Sequence, residues 1–200
     1  MAEEFLREER KRRREWEEEM RRRFATLKRP KLRILYEMYL DYQNLRLAVE
    51  NRLRTYHKFG VLPDELYDSL IVLRDRLKES EAMIAKLMAE ELKDEPVWTE
   101  WLSKVKGVGP VMACGLLGLI DDVGKSPRIS SLWRYAGLAP GQGRQRGKKI
   151  DYNPKLKTLM WKVGMQLLKG KGKFEKLYRQ FREIESKKQF ESPRGGHELH

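Results

Sequence analysis

VKGVGPVMACGLLGLI, residues 105–120, sets two glycines around one valine, adds a proline and runs straight into an apolar helix. A glycine inside a helix costs roughly 1 kcal/mol relative to alanine. Gly107 and Gly109 therefore belong where the backbone turns tightly or where something approaches it closely. With the preceding WLSK, the stretch fits a helix, a tight turn of apolar residues alternating with glycine, and a second helix, the helix-hairpin-helix pattern. In that pattern Val108 points inward and staples the turn. Pro110 sits in the first helical turn, where its missing N–H is harmless. The glycines leave N–H groups uncovered at a helix N-terminus, where the dipole favours a phosphate oxygen. Lys104, Lys106, Gly107, Val108 and Gly109 thus form a candidate nucleic-acid-binding site that reads backbone rather than bases. A plain tight turn between two packed helices is the competing reading.

Charge says which part of the chain meets a polyanion. The formal net charge is +13 over 200 residues. Residues 1–100 hold 22 Lys+Arg and 22 Asp+Glu, whereas residues 101–200 hold 21 and 8, so the whole excess lies in the second half. Such a balance suits nucleic acid, or an acidic membrane surface. The longest apolar run, residues 108–120, is broken by Pro110 and glycines and falls short of the roughly 20 residues of a membrane span. The N-terminal MAEEFLREERKRRR has no apolar signal-peptide core. Cys114 is the only cysteine, which excludes an intrachain disulfide and suits a reducing, cytoplasmic setting. It lies in an apolar run and reads as a core thiol.

Outward from the motif, periodicity predicts a mainly α protein in four parts. Residues 1–30 read as a charged helical arm rich in Glu-first i,i+4 pairs, with Trp16, Met20, Phe24 and Leu27 as a narrow stripe resting on a neighbour. Residues 31–94 read as an antiparallel helical hairpin of coiled-coil type. Its first helix carries Leu32, Leu35, Tyr39, Tyr42, Leu45, Val49, Leu53 and Tyr56, and its second Leu66, Leu70, Leu73, Leu77, Ile84 and Leu87. Residues 96–185 read as a compact helix-hairpin-helix domain: a short helix over 96–105, the GVG turn, and helices over 129–136, 155–168 and 174–185, with a short β-hairpin around Arg144–Ile150. Residues 186–200 read as a disordered tail in which His197 and His200 are mobile rather than metal ligands.

A second basic constellation is GQGRQRGKKI, residues 141–150. Its glycines keep the loop supple, and Arg144, Arg146, Lys148 and Lys149 supply charge that grips phosphates. A solvated surface loop is the alternative. No phosphate-binding P-loop and no zinc-ligand spacing occur. His57 reads as a surface residue, and the adjacent Asp121 and Asp122 read as caps or solvent-facing groups rather than a metal site.

Taken together, the GVG turn, YAGLAP at 135–140, the basic Gly-rich loop and Asn153 leading into Leu156 and Met160 resemble the C-terminal domain of the insertion-sequence 110/116/902 transposases. The resemblance covers about residues 98–185, and the preceding hairpin is similar to the coiled coil of that family. It implies nucleic-acid binding in a transposase-like fold. The family's N-terminal metal-binding acidic domain is expected to be missing from this chain, which begins at the arm. Family members also place a serine, the presumed nucleophile, after LAP, whereas Gly141–Ile150 contains no Ser, Thr or Tyr. No catalytic residue, metal site or cofactor is therefore carried over.

The expectation is a DNA-binding protein derived from, or acting with, a transposase and dimerising through its helices, with RNA as the alternative polyanion. An active transposase or recombinase subunit needing a partner's catalytic domain is a second reading. A structural coiled-coil protein with nonspecific DNA or RNA binding is a third.

Overall fold

The computed structural model describes residues 2–144 and 146–187. Among the described residues the chain runs through eight α-helices: α1 (Ala2–Ala25), α2 (Pro30–Lys58), α3 (Asp64–Glu91), α4 (Pro96–Glu100), α5 (Pro110–Ile120), α6 (Ile129–Tyr135), α7 (Pro154–Lys169) and α8 (Lys173–Ser186). Four of them, α2, α4, α5 and α7, open on a proline. There the absent N–H is one the helix leaves unused and the fixed φ suits the first turn.

The long helices α2 and α3 lie antiparallel. Lys31 pairs with Glu91 (3.2 Å), Arg46 with Glu81 (2.6 Å) and His57 with Asp64 (2.9 Å), the partners running in opposite directions along the two helices. The seam differs from the heptad expected. Leu45 and Tyr56 on α2, and Leu66, Leu73 and Leu87 on α3, are about half exposed, while Tyr36, Glu81 and Met88 are buried. The reason is a second neighbour. α2 also packs against α5, so its buried face turns toward Leu32 and Tyr36 rather than staying on one two-helix seam. Glu81 is held at mid-hairpin by Arg46 and by Gln43 Nε2 (3.0 Å). Burial alone raises its pKa, but the hydrogen bonds from Arg46, Gln43 and Tyr39 outweigh this and hold it below the ordinary range.

One apolar cluster joins the base of the hairpin (Leu32, Tyr36, Ile84, Met88, Leu92) to α5 (Ala113, Cys114, Leu117, Leu119) and α7 (Leu156, Leu159, Val163). Two glycines let α5 sit this deeply. A Cβ at Gly118 would lie 2.7 Å from the Arg33 backbone, and one at Gly115 would lie 2.6 Å from the Tyr36 ring and 2.8 Å from Leu159. The Cys114 thiol donates to the Leu32 carbonyl (3.2 Å), and burial pushes its pKa up to about 12, so it is the core thiol expected.

Several expectations are corrected. The segment 96–105 is not one helix: α4 stops at Glu100 and a 3-10 turn, Leu102–Lys104, follows a break at Trp101 (φ −131). Among the described residues there is no strand: Arg146 and Gly147 form a turn, and Lys149 and Ile150 are irregular where a β-hairpin was expected around Arg144–Ile150, as glycines and like charges disfavour pairing. Trp16 and Phe24 of α1 are exposed rather than resting on a neighbour. His197 and His200 lie outside the described residues.

Candidate functional site

The turn that opens α5 gives its two glycines different tasks. Gly107 has φ +98, a region L side chains rarely enter, and a Cβ there would meet the Gln166 carbonyl oxygen of α7 at 2.9 Å. The backbone that approaches Gly107 is the protein's own. Gly109 has ordinary φ (−89), N-caps α5, and a Cβ there would meet nothing within 4 Å. No side chain caps α5, so the first-turn amides keep their positive end open at Gly109. Val108 is buried and Pro110 stands in the first turn of α5.

Lys104 and Lys106 are exposed beside this turn. They line a cleft of about 320 Å³ with Gly170 and Gly172 from the link between α7 and α8 and with Lys173 at the start of α8. Sequence reasoning does not place that link in the site. Along the chain KGKGK signals only the end of a helix, and its proximity to residue 106 comes from α7 returning across α5.

Asp121 does more than cap. It ends α5 at φ +61, and its Oδ1 accepts the amides of both Lys28 and Arg29 at 2.8 Å, directly ahead of α2. Its Oδ2 takes Lys125 Nζ at 3.1 Å, and its carbonyl accepts the Arg29 guanidinium. Burial raises its pKa, but the Arg29 and Lys28 amides and the Lys125 ammonium reverse the shift and keep it below the usual carboxylate range. Asp122 pairs with Lys28 (2.9 Å) and caps the following turn at Gly124. Both carboxylates are spent on structure. Among the described residues no group of three His, Cys, Asp or Glu side chains is placed to hold a metal ion.

The YAGLAP stretch is also built for geometry. The Tyr135 hydroxyl donates to the Leu119 carbonyl (3.1 Å) and accepts from Asn153 Nδ2 (3.1 Å). Asn153 Oδ1 N-caps α7 by accepting the Leu156 amide (3.1 Å). Gly137, at φ +70, ends α6 with the Tyr152 ring where a Cβ would be (2.6 Å). This frame fixes both ends of the basic loop. Arg144, Arg146, Lys148 and Lys149 project from it, exposed, and no ion pair among the described residues neutralises them. The loop and the GVG turn belong to separate clefts, lined by different residues.

Residues 99–179 match the family model of the transposase IS116/IS110/IS902 family. The matched residues contain the GVG turn and YAGLAP, on which the resemblance to that family rests. No curated protein and no solved structure matches the chain. The transposase segment takes in the Gly107–Gly109 turn, Asp121, the Tyr135–Asn153 frame and the basic loop. The match over these residues supports a transposase-related role. Among the described residues no helix is long and apolar enough to cross a membrane.

Proposed function

We propose that this chain is a DNA-binding, transposase-derived protein. It contacts nucleic-acid backbone at the Gly109 end of α5, with Lys104 and Lys106, and through Arg144, Arg146, Lys148 and Lys149. The observation that carries the reading is the open helix start at Gly109 beside exposed lysines, in the half of the chain that holds the entire net charge. Phosphate oxygens fit such a start, and cations without acidic partners keep their full attraction for a polyanion. Gly107 serves the fold and Gly109 the ligand.

The half-exposed heptad residues Leu66, Leu73 and Leu87 on α3 support a homodimer through the helices. Sedimentation of wild type against Leu73→Glu checks this, a dimer being expected only for wild type.

The DNA reading is tested by binding labelled duplex DNA, branched DNA and structured RNA across a salt series. Wild type is expected to lose affinity with a log–log slope of about −0.9 per phosphate neutralised on B-DNA. Gly109→Val should fold, because its side chain enters open space, and should bind about tenfold more weakly by blocking one charge-assisted contact. A folded Gly109→Val protein with unchanged affinity would make the GVG turn a packing device alone.

A further inference from the structure

Two clefts adjoin at the Gly141–Gln142 turn. One, about 270 Å³, is the basic-loop cleft with Arg144, Lys148 and Lys149. The other, about 480 Å³, is lined on its far side by Ser130, Ser131 and Arg134 of α6. Gly141, Gln142 and Asp151 wall both, forming a saddle between them. Ser130 and Arg134 are i,i+4 neighbours and so share one face of α6. Among the described residues the two serine hydroxyls and the Arg134 guanidinium have no hydrogen-bond or ion-pair partner. Gly141 (φ +73) would have nothing within 4 Å of a Cβ placed on it, so the saddle is low. Asp151 is engaged by Gln142 Nε2 (3.1 Å), which leaves Gln142 Oε1 buried without a donor. Buried acceptors are ordinarily paired.

We propose that one nucleic-acid strand crosses this saddle, with one phosphate held by Arg134 and the Ser130 and Ser131 hydroxyls and the neighbouring phosphate by Arg144, Lys148 and Lys149. The proposal rests on the nucleic-acid reading above, but on a different surface from the GVG turn. An arginine fork with hydroxyl donors is a phosphate-recognition set. The Asp151 carboxylate repels phosphate, so it falls between the two phosphates, beneath the sugar. There a sugar hydroxyl or base amino group donates to the saddle. The spacing of charge along the saddle, positive then negative then positive, gives the proposal effects of opposite sign.

The test is fluorescence anisotropy of the full chain with short single-stranded DNA and RNA across a salt series. On a single strand each neutralised phosphate contributes about −0.7 to the slope. Arg134→Ala should make the slope shallower by about 0.7 and weaken binding about tenfold. Ser130→Ala/Ser131→Ala should weaken binding about threefold with the slope unchanged, since hydroxyls carry no charge. Asp151→Asn should tighten binding, because a repulsive charge is removed while Asn still accepts from Gln142. The strand whose affinity depends on Arg134 names the sugar.

An unchanged slope in Arg134→Ala, with a shallower slope in Arg144→Ala/Lys148→Ala/Lys149→Ala, would confine the strand to the loop and overturn the proposal. Should Arg134→Ala fail to fold, Asp151→Asn decides, and no tightening would overturn it. Absence of salt-dependent binding by wild type would remove the nucleic-acid reading itself.

Discussion

The two halves of the chain carry nearly the same number of cations and use them differently. Up to Glu100, 22 basic residues meet 22 acidic ones, and many stand in pairs along or between helices, such as Arg13–Glu17, Lys31–Glu91 and Arg46–Glu81. Beyond it, 21 basic residues face 8 acidic ones. Two of those eight, Asp121 and Asp122, are drawn back to bind Lys28 and the start of α2. The arm and hairpin balance most of their charge among themselves, while the matched segment presents Arg134, Arg144 and its neighbours to solvent. Since surface ion pairs stabilise a fold only slightly, the open half gives up little stability by lacking them. Its charge is available for a ligand.

The largest expected effect breaks the joint between the halves. Gly118→Val places a side chain against the α2 backbone at Arg33, where neither helix yields without separating. A loss of about 3 kcal/mol is expected, at the upper end of overpacking costs. A thermal melt should show it as a fall of roughly 6–12 °C. An unchanged melt would mean that α2 and α5 do not cross this closely.

Next comes the closed half's own pairing. Arg46→Met leaves Glu81, 8% exposed, without its cation and should cost about 2 kcal/mol, below the range for fully buried pairs because Arg46 is itself partly exposed. Adding Glu81→Leu should recover most of that loss in urea unfolding. Failure to recover would show that the pair contributes packing rather than charge compensation.

Asp121 tests the link between the halves through pH. Its folded pKa is depressed, so its contribution is complete above the ordinary carboxylate value of about 3.9 and is lost as pH falls through the lower folded value. Asp121→Asn should therefore cost about 1–2 kcal/mol at neutral pH. It should also flatten the acid limb of stability, so that variant and wild type converge in strong acid. Parallel curves at all pH values would remove the carboxylate from the joint.

The smallest contrast separates the two glycines. Gly107→Ala should cost about 1–2 kcal/mol, from its positive φ and the Gln166 carbonyl, whereas Gly109→Ala should change stability by less than about 0.5 kcal/mol. Equal costs would erase the division between the glycine that serves packing and the one left open.

Much of this was readable along the chain. Pro30, Pro96, Pro110 and Pro154 mark helix starts, because a ring without an N–H fits only there or outside a helix. The charge imbalance is likewise a sequence fact, and the GVG turn, YAGLAP, the basic loop and Asn153 carried the resemblance to the transposase family. Tertiary structure decided the rest, because periodicity describes one face of an isolated helix while α2 has several partners. That is why Tyr36 is buried and Leu45 is not. It is also why Asp121 became the anchor of a helix start 92 residues away, a contact no local pattern announces. Two glycines that look alike in GVG were separated the same way: the return of α7 past Gly107, and not past Gly109, closed one approach and left the other open.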